Sequence, residues 1–67
     1  MDPKKVGKRI KIARIEIDMT QAQLAEAVDS NQKSISRYET GESFPPLDIL
    51  KKMTKVLGKS FDYFLAD

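Results

Sequence analysis

Two helix-start signals and one stop, set within residues 20 to 41, constrain this chain more than any other feature. Thr20 and Gln23 form a T-x-x-Q capping box, in which each side chain takes a backbone N–H that the first helical turn leaves over. Asn31 can cap a second helix by accepting from an N–H near Ser34. Gly41 suits the end of that helix, where the chain leaves it through left-handed backbone. The segment therefore reads as a helix from about Gln21 to Val28 with Leu24, Ala25 and Val28 inward, a tight turn at Asp29 and Ser30, and a helix from about Gln32 to Thr40. Met19, just before the first cap, can serve as a hydrophobic staple to Leu24.

The flanks carry the same period. Residues 3 to 17 predict a first helix: Pro3 suits a first turn, and Val6, Ile10, Ala13 or Arg14, and Ile17 recur at three- and four-residue spacing, with Ile12 and Ile15 widening the stripe. Gly7 weakens this helix by up to about 1 kcal/mol relative to Ala, which is tolerable near its start. Phe44, Pro45 and Pro46 interrupt the chain. A helix from about Leu47 to Leu57 follows, with Leu47, Leu50, Met53, Val56 and Leu57 as its apolar residues and Gly58 as its stop. Ser60 caps a short last helix with Phe61, Phe64 and Leu65. No segment alternates with strand period, so the expected class is all-α, a compact bundle of five helices.

Size narrows how such a fold can be held. The chain has 67 residues, read as one domain (1–67), and a chain of about 60 residues buries only roughly 60% of its unfolded surface. With no cysteine and no histidine, neither a disulfide nor a Cys/His metal site can staple it, so it depends on well-packed helices or a partner chain. The lack of cysteine fits a reducing cytoplasm. No apolar run approaches the ~20 residues that span a bilayer, and no signal-peptide pattern opens the chain. No cofactor is expected.

The net charge is only +2, but it is segregated. Lys4, Lys5, Lys8, Arg9, Lys11 and Arg14 fall together with no acid among them, and Lys51, Lys52, Lys55 and Lys59 make a second cluster. Such clusters suit a solvated helix face, and they also suit phosphate steering when they surround a recognition element. The third helix decides how to weigh them. With Gln32 at 0° and about 100° per residue, Lys33, Ser36, Arg37 and Thr40 lie between about 40° and 140°, opposite Ile35 and Tyr38. A polar face of long donors and small hydroxyls would be unremarked on a lone helix. Behind a short helix with Ala25 at the packing position and a tight turn, it describes a helix-turn-helix.

Here the chain resembles the phage repressor and Cro family of helix-turn-helix proteins, from about Val6 to Leu65. The likeness is carried by Arg14, by Thr20-Gln21 with Leu24-Ala25, by Ser34-Ile35-Ser36-Arg37-Tyr38-Glu39 with Gly41, and later by Pro45, Leu50, Leu57-Gly58, Ser60 and Phe64-Leu65. The resemblance implies a lambda-repressor-like five-helix domain, usually dimeric, that binds a double-stranded DNA operator. It implies that Gln21 contacts phosphate through its side chain and backbone N–H. Gln32 and Lys33 would face base edges, Arg37 a base or phosphate, and Thr40 the DNA backbone, with Ser36 on the same face. Chemistry agrees: helix N-termini attract phosphate, Gln pairs with adenine, and Lys or Arg with guanine. The resemblance also implies a buried Arg14–Glu39 ion pair, consistent with Glu39 lying on the inward side of its helix. Three departures stand out. Asp18 and Asp29 occupy helix ends where the family usually places Gly and where positive φ is expected. Ser30 replaces an apolar turn residue. Glu42 replaces a common cation.

These readings lead to a sequence-specific DNA-binding domain acting as a transcriptional regulator, most simply a repressor. The competing reading is an antitoxin-like module that holds a protein partner, since relatives with this fold do so. An enzyme ranks far behind, because the chain has no His or Cys and no paired acids suited to acid–base work. Tyr63, Phe61 and Leu65 form the surface expected to be exposed for self-association.

Overall fold

The computed structural model describes residues 1–66. Five helices follow in order: α1 (Pro3–Glu16), α2 (Gln21–Ala27), α3 (Gln32–Thr40), α4 (Leu47–Leu57) and α5 (Phe61–Leu65). There is no strand among the described residues. The expected ends hold to within a residue: α1 stops at Glu16 and α2 at Ala27, with Ile17 and Val28 as their C-caps.

The caps explain why helices this short begin where they do. Thr20 Oγ1 accepts from the Gln23 N–H at 3.0 Å, and Gln23 Oε1 accepts from the Thr20 N–H at 2.9 Å, closing the capping box. Asn31 Oδ1 accepts from Ser34 N at 2.8 Å, and Ser60 Oγ from Tyr63 N at 3.2 Å. Asp2 caps α1 through Lys4 N at 2.9 Å. Each such cap contributes about 1 kcal/mol, a large share for helices of five to nine residues that are marginal alone. Gly41 (φ 80°) and Gly58 (φ 68°) end α3 and α4 in left-handed backbone. Asp18 (φ 56°) and Asp29 (φ 58°) hold the same conformation without glycine's freedom, as expected at both helix ends.

All five helices feed one buried cluster. Val6, Ile10 and Ala13 come from α1, Leu24 and Ala25 from α2 with Val28 at its end, and Ile35 and Tyr38 from α3; Leu50, Met53 and Leu57 of α4 and Phe64 of α5 complete it. Met19 is half-buried against that cluster, at the position expected of a staple. Gly7 has a packing role that helix propensity conceals. A Cβ there would collide with the backbone carbonyl oxygens of Tyr38 and Glu39, so α1 crosses α3 at a distance only glycine permits.

Several apolar expectations are corrected. Ile12, Ile15 and Ile17 are 42%, 52% and 46% exposed, and do not extend the buried stripe of α1. The buried stripe of α1 is narrow, limited to Val6, Gly7, Ile10, Ala13 and Arg14, and it meets α3 through Gly7 and Arg14. Leu47 is 72% exposed at the start of α4. Tyr63 is half-buried: its ring meets Phe64 edge-on at 5.2 Å, and Lys59 Nζ lies 4.8 Å from the ring centroid. It packs against the core, so the self-association surface expected around it shrinks to Phe61, 37% exposed, and half-buried Leu65.

Candidate nucleic-acid interface

The two faces of α3 differ in kind. Ile35, Tyr38 and Glu39 are buried, while Gln32, Lys33, Arg37 and Thr40 are exposed and Ser36 is half-buried. The inward face is pinned by one polar network. Arg14 Nε and Nη2 meet Glu39 Oε2 and Oε1 at 2.7 and 3.0 Å, a two-point fork that suits the planar guanidinium. Arg14 Nη1 also donates to the Met19 carbonyl at 2.8 Å, tying the loop before α2 to the same centre. Every buried side-chain polar atom among the described residues has a partner, so this polar core leaves nothing unsatisfied. The Glu39 hydrogen bond raises the Arg14 pKa above its already high ordinary value, outweighing burial, which lowers it. A raised folded value means the stabilisation is complete below the ordinary arginine range and lost only as pH climbs through the raised one. Titration of Arg14 therefore does not loosen the network near neutral pH.

Gln21 belongs to this network, which sequence reasoning missed. Its Nε2 donates to Glu39 Oε1 at 3.0 Å, so the residue at the start of α2 is oriented by the carboxylate that orients α3. No spacing signal points to this bond, because it joins residues of two helices across their turn. Gln21 is half-buried, and its own backbone N–H stands outside the two bonds of the capping box. The structure thus brings the start of α2 and the last turn of α3 together around one buried anion.

Thr40 is also more constrained than expected. Its hydroxyl donates to the Arg37 carbonyl at 3.2 Å and accepts from Glu42 N at 3.4 Å. Ser43 N donates to the same Arg37 carbonyl at 3.2 Å, so the chain folds back on the last turn of α3. Glu42 is brought beside Arg37, with Oε2 3.4 Å from Nε. Lys4 lies against Gly41, where a Cβ would strike its backbone and Cγ, so the basic start of α1 adjoins the end of α3.

The basic clusters divide into structural and unpaired cations. Arg9 is structural: Nη1 donates to the Tyr63 carbonyl at 2.9 Å and to the Ala66 carbonyl, holding the end of α5. Lys59 pairs with Glu16 at 3.3 Å and Lys52 with Asp29 at 2.9 Å. Lys4, Lys5, Lys8 and Lys11 on α1 and Lys33 on α3 form no ion pair among the described residues and are exposed. No group of three or more metal-binding side chains exists among the described residues, and no helix there is long and apolar enough to cross a membrane.

Known proteins share this arrangement. The crystal structure of the P22 c2 repressor, in complex with synthetic operator 9T in the presence of Tl+, superposes with a TM-score of 0.87 at 33% identity, covering 91% of this chain and 92% of that one. The regulator ClgR from Corynebacterium glutamicum superposes at 0.84 over 90% of this chain and 64% of that one, and at 23% identity shows the fold alone. Among curated sequences, the HTH-type transcriptional regulator ImmR of Bacillus subtilis (strain 168) is 35% identical over 61 residues, covering 91% of this chain and 48% of its own. Multiprotein-bridging factor 1c of Arabidopsis thaliana is 40% identical over 60 residues, covering 87% of this chain and 40% of its own. The chain spans less than half the length of these curated relatives. The family profile described as Helix-turn-helix matches residues 10–64. With that match across most of its length and the lambda-repressor-like arrangement of its five helices, the chain belongs to the helix-turn-helix family.

Proposed function

We propose that this chain is a sequence-specific DNA-binding domain that regulates transcription, acting as a repressor by occupying an operator, with α3 in the major groove. The observation that carries the reading is the division of α3. Its inward side is locked by Ile35, Tyr38 and the Glu39 network, while Gln32, Lys33 and Arg37 stand outward as donors suited to base edges. The P22 c2 repressor, a protein of the same fold, is seen in complex with an operator, which supports the assignment. In this reading Gln21 offers its N–H and remaining amide atoms to phosphate, Ser36 packs beside the base-facing side chains, and Thr40 meets the DNA backbone. Two copies bind half-sites roughly 34 Å apart, one DNA turn, as a homodimer at least on DNA. The setting is cytoplasmic, and the activity is binding without catalysis.

A second reading, a module that docks a protein partner, has one observation in its favour. Relatives at 36–40% identity are named multiprotein-bridging factors, and α1 leaves Ile12 and Ile15 uncovered. Titration with duplex DNA across a salt series decides between them. For Z phosphate contacts the log of affinity falls against the log of salt with a slope of about −0.9Z. Tight duplex binding with such a slope is expected; salt-independent or absent binding favours the protein-docking reading.

A further inference from the structure

We infer that Glu42 is a specificity-determining residue, one that keeps Arg37 a reader of bases and not a clamp on phosphate; this rests on the DNA-binding reading above. Three features of the loop after α3 support it. The loop is built to hold Glu42 where it is: Gly41 turns the chain through φ 80°, Thr40 Oγ1 accepts from Glu42 N, and Ser43 N closes onto the Arg37 carbonyl. Second, the carboxylate approaches Arg37 most closely through Nε, at 3.4 Å. Guanine is read through two parallel N–H groups meeting O6 and N7, and a guanidinium engaged along its Nε side still has both terminal nitrogens for that purpose. Third, the charge is placed where it discriminates. The side chains of Arg37 and Glu42 are 48% and 67% exposed, so the pair is a weak one in water that does not sequester the arginine. A carboxylate at the end of α3 nevertheless repels any phosphate that approaches Arg37 from that side, whereas a guanine edge carries no net charge to repel. The residue thus disfavours the sequence-independent contact while leaving the base contact available, a repulsive element serving selectivity.

This role differs from that of a merely acidic surface residue, which would weaken binding to all duplexes alike. The test uses the full chain, a duplex selected from a random pool, and a scrambled duplex of equal length, over a salt series. Glu42→Gln keeps the side chain's shape and removes its charge. It is expected to tighten binding to the scrambled duplex by about two- to fivefold, the range of an exposed ion pair. Its salt slope should steepen by about 0.9, one added phosphate contact. The ratio of selected to scrambled affinity should fall correspondingly. In an Arg37→Ala background the same substitution should leave that ratio unchanged, because the coupling runs through the arginine. A ratio that survives Glu42→Gln, or that falls equally without Arg37, overturns the inference. A parent chain lacking salt-dependent duplex binding overturns the underlying reading as well, a result distinct from either.

Discussion

At the scale of single residues, backbone geometry sets the strongest constraints, and it acts at positions whose types look ordinary. Gly7 reads as a small defect in α1, yet its missing Cβ is what lets α1 lie against the Tyr38 and Glu39 carbonyls. Two effects oppose each other in Gly7→Ala: a gain of up to about 1 kcal/mol in helix propensity and an overpacking penalty of about 1–3 kcal/mol. The collision is with backbone, which cannot rotate away, so the penalty should win; urea unfolding is expected to show a net loss of stability. Asp18 and Asp29 present the converse case, residues held at positive φ where glycine would sit without strain. Asp29 also makes an exposed 2.9 Å pair with Lys52 that its replacement would lose, whereas Asp18 makes no ion pair among the described residues. Asp18→Gly should therefore stabilise by up to about 1 kcal/mol, reduced by glycine's freedom in the unfolded chain, and Asp29→Gly by less. Thermal unfolding of the two variants checks the order; a destabilised Asp18→Gly protein contradicts it.

At the scale of elements, α2 and α3 are oriented by one carboxylate. Glu39 receives two bonds from Arg14 and one from Gln21, so the ends of three helices converge on it. Glu39→Ala would strand a buried guanidinium and is expected to cost about 3–5 kcal/mol. For a domain near the low end of the usual ~5–15 kcal/mol range, that approaches loss of the folded state, readable as the disappearance of a cooperative urea transition. A Glu39→Ala protein as stable as the parent would mean that the pair does not dock α1 on α3. What was legible in the sequence, and what was not, follows from range. Caps and stops act within four residues, so Thr20, Gln23, Asn31, Gly41, Gly58 and Ser60 announced the helix ends in their own neighbourhoods. Period marked the buried faces of α2 and α3 well. It overran on α1, where Ile12 and Ile15 share the spacing but stay exposed. The Gln21–Glu39 bond, the inward turn of Tyr63 and the Glu42–Arg37 pair depend on how distant or irregular segments settle, which no local period encodes.

At the scale of the whole molecule, the fold separates the work of standing up from the work of contact. Arg9, Arg14, Lys52 and Lys59 spend their charge on internal carbonyls, carboxylates and a ring, whereas Lys33 and the α1 lysines keep theirs for solvent or a partner. That division is why a net charge of only +2 is compatible with a DNA-binding surface: what steers phosphate is the local field of unspent cations, not their sum. It also means that the outward side chains of α3 can be removed without touching the core, so the central claim, that α3 reads the sequence, admits a direct measurement. Lys33→Ala and Arg37→Ala would each be titrated against a selected duplex and a scrambled one at fixed salt, with unfolding curves recorded beside them. Each variant is expected to keep parent-like stability and to lose about 1–3 kcal/mol of discrimination. Two stably folded variants that prefer the selected duplex as strongly as the parent does would contradict that claim.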